Sequence, residues 1–491
     1  MSGSQDLRED RVTAKFEAVI GFEVHVELAT NTKIFCGCST RFGSPPNTQV
    51  CPICLGMPGV LPVLNRKAIE YTIRTAIALN CQINHHTSFD RKNYYYPDLP
   101  KNYQISQNYS SLGYNGFLEL PSDGGSRRIR INNVHLEEDA GKLIHPETQS
   151  ADYSLVDLNR AGTPLIEIVS EPDLRSVEDA QTYMTTLKNL LQYIEVSDCK
   201  MQEGRLRFEV NISMRPVGTE KFGTKVEIKN LNSMKVALKV IEYEIKRQSR
   251  ALEEGGTIVQ ETRLWDEEKS ETRSMRSKER AHDYRYFPEP DLVEVHIDEK
   301  WLAHVRETLP ELPDARKSRF ISAFALSEYD ASLLTASKAI ADYYESAVAT
   351  HNNPKGIANW ILNELLRELN AREWEASDCP LTPRHLAKLV EMIDKGETSG
   401  KIAKTIFAEM IETGRQPEEI VREKGLVQVT DVGELERWVD QVLADNPGPA
   451  DDYRNGKDRA LGFLVGQIMK LSRGKANPQA INELFRKKLG R

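Results

Sequence analysis

The run Ile20-Gly-Phe-Glu-Val-His-Val-Glu-Leu28 alternates apolar and polar side chains with a period of two. That period is typical of a β-strand with one buried and one polar face, as in an antiparallel sheet. Residues 206–215 alternate in the same way, and helical patterns occur near 65–79, 176–193 and 233–252. The amino-terminal part of the chain is therefore predicted to form a mostly antiparallel sheet with helices, an α+β fold.

The polar face of this first strand carries Glu23, His25 and Glu27. Solvent-facing strands favour threonine, lysine or tyrosine, so two carboxylates around one imidazole are unusual. Hard oxygen ligands with one imidazole suit Mg²⁺ or Mn²⁺. A second acidic run, His135-Leu-Glu-Glu-Asp139, ends a later strand, and its adjacent carboxylates repel one another unless a cation or a basic partner neutralises them. Together the two runs favour a divalent-cation site over a merely solvated polar face.

Four cysteines form two close pairs after the first strand, in Phe35-Cys-Gly-Cys38 and Cys51-Pro-Ile-Cys54. Gly37 and Pro52 supply turns that can aim four thiolates at one ion. The pairs lack the strand-to-helix setting of a thioredoxin-like redox site, and four unrelated buried thiols are the plainer alternative. We expect structural zinc at Cys36, Cys38, Cys51 and Cys54, because a site closed by four thiolates has no open coordination position.

The size and composition of the chain restrict the classes of protein to which it can belong. At 491 residues it is too long for one core, and about three domains are expected. The amino terminus is polar and charged, and no stretch reaches the length of a membrane span. Seven cysteines, an odd number, fit a reducing compartment better than a disulfide framework. These features indicate a cytoplasmic protein without a membrane segment.

From about residue 298 onward the pattern changes to helices with short turns. Prolines near residues 310–313 mark a linker, and a second break lies near residues 413–417. The predicted domains are residues 1–296, 297–412 and 413–491. Although the whole chain has a formal net charge of -8, Lys and Arg are in excess after Gly456. A basic tail suits an anionic partner, the alternative being a solvated helix face.

Basic and aromatic residues are mixed in Asp90-Arg-Lys-Asn-Tyr-Tyr-Tyr-Pro-Asp98. This composition suits phosphate contacts with stacking on a base or ribose, although an aromatic surface loop is an open alternative. Arg207, Glu209 and Lys229 lie on polar strand faces, and a sheet that alternates acid and base suits a metal-bound polyphosphate. The chain has no G-x-x-x-x-G-K-[ST] loop, no Rossmann glycine pattern and no G-x-S-x-G elbow. Any ATP would therefore bind on the sheet.

These stretches resemble one family, the B subunits of the glutamyl/aspartyl-tRNA amidotransferases. The matching segments are residues 19–28, 35–38, 46–56, 61–65, 89–107, 135–142, 154–162, 167–173, 226–233, 260–263 and 283–290. They cover most of the first 290 residues, and Asn359-Trp360 and the basic carboxyl end extend the likeness more weakly. The resemblance implies a cradle domain akin to glutamine synthetase, then a helical domain, then a small helical tail.

The activity implied by this resemblance is ATP-dependent transamidation of misacylated Glu-tRNA(Gln) or Asp-tRNA(Asn). ATP and Mg²⁺ would phosphorylate the side-chain carboxylate, and ammonia would displace the phosphate. The implied enzyme is a ligase that forms carbon–nitrogen bonds and uses glutamine as the amido donor. An amidase partner, the A subunit, would supply the ammonia. A small partner, the C subunit, would complete the heterotrimer, and the tail would contact the tRNA.

The resemblance together with the charge pattern assigns roles to individual residues. The expected Mg²⁺ ligands are Glu23, His25, Glu137 and Glu138, and either of the last two could point inward. These four residues, together with Lys92 and Arg160, are also expected to be catalytic. The residues expected to contact the nucleotide are Arg91, Tyr94, Tyr95, Arg207, Glu209 and Lys229. The residues expected to contact tRNA are Lys457, Lys470, Arg473 and Lys475.

Two positions depart from the family pattern, because Asn102 and Cys199 stand where glycine is usual. Neither touches an expected ligand, and asparagine is well tolerated with a positive φ. Two other functions stay open at this point. One is a zinc-containing RNA-binding factor without catalysis, and the other is a stand-alone ATP-dependent ligase that acts on a small carboxylate. The sequence does not say which misacylated tRNA would be the substrate.

Overall fold

The computed structural model describes residues 15–122, 125–146, 153–277, 284–372, 374–425, 432–472 and 476–490. The chain forms two compact units, Met1–Leu312 and Pro313–Arg491. Within the described residues, the first unit contains the strands and four α-helices, and the regular structure of the second unit is helical. The predicted α+β class is therefore confirmed. The division at residues 296 and 412 stays a prediction.

The first unit is built on a nine-stranded sheet with the strand order β14-β13-β12-β11-β1-β10-β7-β6-β2. Its strands are β1 (Phe16–Glu27), β2 (Gln82–Ile83), β6 (Gly113–Ser122), β7 (Gly125–Glu138), β10 (Pro164–Ser170), β11 (Leu206–Pro216), β12 (Val226–Leu231), β13 (Glu261–Asp266) and β14 (Glu271–Ser277). Within the described residues, every pairing in this sheet is antiparallel except that of β12 with β13.

Short strands form three smaller sheets beside the large one, in the orders β15-β4-β5, β16-β3 and β8-β9. Their bounds are β3 (His86–Thr87), β4 (Asp90–Asn93), β5 (Tyr103–Ser106), β8 (Lys142–Ile144), β9 (Leu155–Asp157), β15 (Phe287–Pro288) and β16 (Val295–His296). The pairing of β15 with β4 brings residues after the large sheet back to the predicted basic and aromatic segment.

β1 lies at the centre of the sheet, between β10 and β11. Phe22, Val24 and Val26 are fully buried, whereas Glu23 and His25 are only half-buried. The predicted alternation is therefore present. Because β1 has strands on both sides, its polar residues have neighbours from two strands, and those neighbours make up the candidate site.

Among the described residues of the first unit, four α-helices accompany the strands: α1 (Arg66–Ala78), α2 (Val177–Tyr193), α3 (Met234–Glu253) and α4 (Glu299–Glu307). A side-chain oxygen at each N-cap, such as that of Ser176, accepts a hydrogen bond from a backbone amide and so satisfies one free donor. The apolar faces of α2 and α3 share a core with the sheet, where the rings of Phe22 and Tyr183 stack with centroids 5.2 Å apart. The opposite face of β1 is left for polar residues.

The second unit consists of helices α5 (Pro313–Phe324), α6 (Glu328–Thr335), α7 (Lys338–Thr350), α8 (Pro354–Trp360), α9 (Leu366–Arg372), α10 (Pro383–Asp394), α11 (Gly400–Thr413), α12 (Pro417–Lys424), α13 (Val432–Asp445), α14 (Pro447–Arg454), α15 (Arg459–Leu471) and α16 (Pro478–Leu489). A π-helical turn, Ile361–Leu365, joins α8 to α9. Its buried apolar residues form one core from residues 320–421 and another from 435–489. Across the described residues, no helix has both the length and the apolar character needed to cross a membrane.

Candidate active site and metal centres

Three side chains from adjacent strands form a first cluster of possible metal ligands. His25 on β1 lies directly opposite Glu167 on β10, and Glu137 comes from β7. His25 Nε2 is 3.5 Å from a carboxylate oxygen of Glu167 and 3.7 Å from one of Glu137. One ligand atom from each lies within 4.8 Å of the others, so the three could hold one divalent cation. We call these residues the His25 cluster.

Glu167 is the member of the His25 cluster that the sequence reasoning missed. Residues 165–169 form an alternating strand pattern, and Glu167 is its polar residue. That pattern could have identified Glu167 as a candidate ligand, because an acidic residue on the polar face of a neighbouring strand can reach a ligand on β1. Which strand lies next to β1 is not readable from the alternation alone.

His135 borders the same carboxylates from β7. Its Nε2 is 3.4 Å from Glu167 and 3.8 Å from Glu137, and its Nδ1 is 2.8 Å from Asn133 Oδ1. Burial opposes the charge on the ring, but the carboxylates of Glu167 and Glu137 prevail and raise the pKa of His135 to about 10. The imidazolium is therefore a positive partner of the acidic cluster.

A second cluster, which we call the Glu23 cluster, consists of Glu23 on β1, Glu209 on β11 and Glu227 on β12. One ligand atom from each lies within 4.8 Å of the others. Asn211 Nδ2 donates to Glu23 Oε1 at 2.8 Å. Lys229 Nζ is 2.8 Å from Glu209 and 3.7 Å from Glu227, so this predicted cofactor contact lies against the acidic cluster.

The consecutive residues Glu137 and Glu138 have different partners. Glu137 accepts a hydrogen bond from Ser106 Oγ at 3.1 Å and faces His25. Glu138 pairs with Lys101 at 2.5 Å and accepts a hydrogen bond from the amide of Ile105 at 2.9 Å. Successive side chains of a strand point in opposite directions, which accounts for the separation. The structure therefore brings Glu137, and not Glu138, to His25.

Two predicted arginines converge on Asp139. Arg207 Nη1 donates to Asp139 Oδ2 at 2.9 Å, and Arg160 Nε is 3.6 Å from the same oxygen. Arg160 also donates to the backbone carbonyls of Ala140 at 3.0 Å and Gly141 at 2.7 Å. Burial and the charge of Asp139 raise the pKa of nearby Glu27 to about 8. The arginines thus neutralise an acidic turn.

The aromatic and basic segment places its residues in different surroundings. Arg91 holds Glu289 with hydrogen bonds of 2.7 and 2.9 Å and Asp291 with one of 3.1 Å. Tyr94 donates its hydroxyl to Gln104 Oε1 at 3.3 Å. Tyr95 is 79% exposed. Lys92 Nζ lies 5.8 Å from the centroid of the Tyr94 ring, and although burial opposes its charge, the carboxylates of Glu137 and Glu167 raise its pKa.

The predicted zinc ligands Cys36, Cys38, Cys51 and Cys54 come together, with all four sulfurs within 4.8 Å of one another. Cys51 Sγ and Cys54 Sγ are 3.9 Å apart. Four sulfurs at ~2.3 Å from a tetrahedral ion lie ~3.8 Å from each other, so the donor set fits zinc. Lys33 Nζ, nearly fully buried, lies 3.5 Å from Cys54 Sγ and donates to Leu158 O at 3.3 Å.

A cavity of about 220 Å³ separates the cysteine cluster from the Glu138–Lys101 ion pair. Its lining includes Cys54, Met57, Lys101, Tyr103 and Glu138. The zinc-type cluster therefore borders a space that ends next to the acidic residues of β7.

The residues expected to contact tRNA lie in the second unit. Lys457 is exposed and pairs with Asp452 at 2.8 Å, and Lys470 is exposed in the last turn of α15. Arg473 and Lys475 lie outside the described residues. The last turn of α16 adds Arg486, Lys487 and Lys488, so basic residues continue to the carboxyl end.

Comparison with known proteins gives two family matches. Residues 18–303 match the GatB/GatE catalytic domain, and residues 342–489 match the GatB domain. The chain is 60% identical to the B subunit of the aspartyl/glutamyl-tRNA(Asn/Gln) amidotransferase of Carboxydothermus hydrogenoformans, over 97% of this chain and 99% of that protein. It is 57% identical to the protein of the same name from Caldanaerobacter subterraneus subsp. tengcongensis and 54% identical to that from Persephonella marina, each over 97% of this chain and 100% of the relative.

Proposed function

The chain belongs to the family of aspartyl/glutamyl-tRNA(Asn/Gln) amidotransferase B subunits, and from this premise we infer that it takes part in tRNA-dependent transamidation. The proposed substrates are Glu-tRNA(Gln), Asp-tRNA(Asn) or both, whose side-chain carboxylates become amides. A carboxylate resists attack by ammonia because oxide is a poor leaving group. We propose that the terminal phosphoryl group of ATP is transferred to the carboxylate, and that ammonia then displaces phosphate.

The observation that carries this proposal is the pair of acidic clusters on β1. Glu23 and His25 share one face of the strand, and each joins glutamates from neighbouring strands. Carboxylate oxygens with one imidazole are a donor set that suits Mg²⁺. We propose that the Glu23 and His25 clusters bind Mg²⁺, which when bound would neutralise and orient phosphoryl oxygens. Glu137 is the proposed ligand from β7, whereas Glu138 pairs with Lys101.

Positive and aromatic side chains around the clusters are proposed to contact the other groups of the reactants. Lys92 and Lys229 lie near the His25 and Glu23 clusters and would contact anionic oxygens. Arg160 and Arg207 hold the acidic turn at Asp139 and could exchange that partner for a substrate oxygen. Tyr94 and Tyr95 remain proposed nucleotide contacts, whereas Arg91 would act through the segment that it anchors.

Partner proteins are proposed because the relatives are named as the B subunit of an amidotransferase. The amidase, or A, subunit would release ammonia from glutamine, and the small C subunit would complete a heterotrimeric carbon–nitrogen ligase. The basic residues Lys457, Lys470, Arg473 and Lys475 would contact tRNA phosphates. Zinc on the four cysteines would brace the loop that lines the cavity. We propose that the enzyme acts in the cytoplasm, where misacylated tRNA would be met.

Transamidation can be tested on the complex, by co-expressing the chain with its amidase and small partners. With glutamine, ATP and Mg²⁺, at least one of the two misacylated tRNAs should yield its amide together with ADP. We expect Glu167→Gln to lower this rate by about 10²-fold or more, because one carboxylate of the His25 cluster is lost. Glu119→Gln is a matched control, since Glu119 pairs with Arg128 on β6 and β7, away from the clusters.

Two outcomes would contradict different parts of this proposal. No amide from either misacylated tRNA would exclude the transamidation itself. Full activity of Glu167→Gln at limiting Mg²⁺ would instead remove Glu167 from the metal site while leaving the function standing. A stand-alone ligase is distinguished by the purified chain alone, which we expect not to convert free glutamate or aspartate to an amide.

A further inference from the structure

Lys92 is a cation that no described carboxylate neutralises directly. Its side chain is half-buried on β4, and within the described residues its Nζ makes neither a hydrogen bond nor an ion pair. Burial opposes its charge, yet the carboxylates of Glu137 and Glu167 hold the pKa of Lys92 above its usual range. The Lys92 ammonium is therefore charged. It lies close to the His25 cluster but forms no ion pair with the carboxylates of that cluster.

Two tyrosine rings, rather than a carboxylate, lie next to the Lys92 ammonium. Lys92 Nζ lies 5.0 Å from the centroid of the Tyr284 ring and 5.8 Å from that of Tyr94. The two rings are 6.0 Å apart and meet edge to face at 73°. A cation within about 6 Å of an aromatic centroid is attracted by the negative face of the ring. The rings therefore form two sides of a box around the ammonium.

The Tyr284 side of this box is held from β4 itself. Asn93, next to Lys92, donates from Nδ2 to the carbonyl of Tyr284 at 3.2 Å and to that of Arg285 at 2.8 Å. The rings of Tyr284 and Tyr286 pack at 6.0 Å. The segment that carries Tyr284 is thus fixed to the strand that carries Lys92, although the two are far apart in sequence.

The placement of β4 brings the box to the carboxylates. Lys92 lies opposite Gln104 on β5, and Gln104 Nε2 donates to the carbonyl of Glu138 at 2.8 Å. Two residues along β5, Ser106 donates to Glu137. The ammonium is therefore one strand away from the His25 cluster.

We infer that Tyr284 is a positioning residue, whose ring, with that of Tyr94, keeps the Lys92 ammonium next to the His25 cluster and free for an anionic oxygen of the substrate. This inference rests on the proposed function. A ring attracts a cation without neutralising it, whereas a carboxylate within reach would form an ion pair. Without Tyr284, the flexible lysine side chain should swing to Glu137 or Glu167, and its charge would be lost to the reaction.

Four variants in the full complex test this role: Tyr284→Leu, Tyr284→Phe, Lys92→Met and the double variant Lys92→Met/Tyr284→Leu. We expect Tyr284→Leu to lower kcat for ADP and amide formation roughly tenfold, with little change in KM for ATP. Tyr284→Phe keeps the ring and should stay within about twofold of wild type. In the Lys92→Met background, Tyr284→Leu should cause no further loss. Tyr114→Leu, on β6 next to the edge strand β2, is the control for removing an unrelated tyrosine.

A crystal structure of the Tyr284→Leu complex gives a readout that does not depend on turnover. We expect Lys92 Nζ to move within hydrogen-bond distance of Glu137 or Glu167. An unmoved Nζ would overturn the inference even if the complex were inactive for other reasons. So would wild-type activity of Tyr284→Leu, or an equal loss from Tyr284→Leu with and without Lys92. Absence of activity in the wild-type complex would instead count against the proposed function.

Discussion

Asn102 adopts a left-handed backbone with φ of 62° in the turn that leads into β5. The backbone amide of Asn102 donates a hydrogen bond to the carbonyl of Leu99 at 3.0 Å, which closes the turn. The preceding residue is Lys101, the partner of Glu138, so the turn also positions that ion pair. Asparagine adopts this conformation at a small free-energy cost, whereas a β-branched residue is strained in it.

We therefore expect Asn102→Val to lower the free energy of unfolding by about 1–2 kcal/mol. Asn102→Gly, the matched control, should stay within about 0.5 kcal/mol of wild type, because glycine adopts this φ freely but gains entropy on unfolding. Denaturant unfolding of the full chain measures both. Equal stability of the valine and glycine variants would show that the left-handed turn is not retained in solution.

Individual site residues were predictable from the sequence to the extent that they stood out chemically. The four cysteines could be selected because close pairs of thiols are typical of a metal site, and Glu23 with His25 because two such residues rarely share the polar face of one strand by chance. The orientation of Glu137 against Glu138 could not, since it depends on where β7 meets its neighbours. Cys199 also has a positive φ, of 57°, which the residue type did not predict.

At the scale of elements, a buried carboxylate joins α3 to β14. Glu244 accepts hydrogen bonds from Arg247 at 2.9 and 2.8 Å, from Gln248 at 2.9 Å and from Thr272 at 2.5 Å. Burial alone would raise the pKa of Glu244, but these donors and the charge of Arg247 hold it below its usual value. The ionised form is therefore the one that the fold stabilises.

Glu244→Gln should cost about 2–3 kcal/mol of unfolding free energy at neutral pH, because the buried donors lose a charged acceptor. A depressed pKa contributes stability above the unfolded pKa and loses it as pH falls through the folded one. The difference from wild type should therefore shrink below about pH 4. Glu242→Gln, on the same helix and paired with exposed Lys246, should show neither effect. A pH-independent difference would contradict this account.

The cysteine loop is the second element whose stability can be tested. If zinc joins the two pairs, its binding energy is also folding energy for the loop. We expect Cys54→Ser to release zinc from the purified chain and to lower the melting temperature by about 5 °C or more. Cys379→Ser, outside the cluster, should retain zinc. A metal-to-chain ratio by elemental analysis that is unchanged in Cys54→Ser would exclude this residue as a ligand.

Long elements were easier to predict than short ones, for a physical reason. The alternation in β1 and β11 and the apolar stripe of α3 extend over enough residues for the strand or helix period to be recognised in the sequence. The two-residue strands β3, β15 and β16 contain no such period, because they exist only through pairing with distant partners. The box around Lys92 joins Tyr94 to Tyr284, which are far apart in sequence, so no local pattern could predict it.

Over the whole molecule, charge is distributed in a way that suits a polyanionic partner. The chain is acidic in total, at a formal -8, and its sheet gathers carboxylates in two clusters. The exposed Lys457 and Lys470, with the cationic last turn of α16, offer the opposite sign at the carboxyl end. The basic residues of the second unit would therefore attract tRNA phosphates, whereas the acidic clusters of the first unit would not.

The central position of β1 in the sheet also affects how the chain folds while it is being synthesised. β1 is synthesised first, but its neighbours β10 and β11 start only at Pro164 and Leu206. At about 5–20 residues per second, Phe22, Val24 and Val26 wait roughly ten seconds or longer for their partners. During that time a strand with one apolar face and two open edges is available to chaperones and to other nascent chains. Ribosome pausing within residues 28–206 should therefore be harmful to this protein, and synonymous codons that speed this stretch should favour its yield.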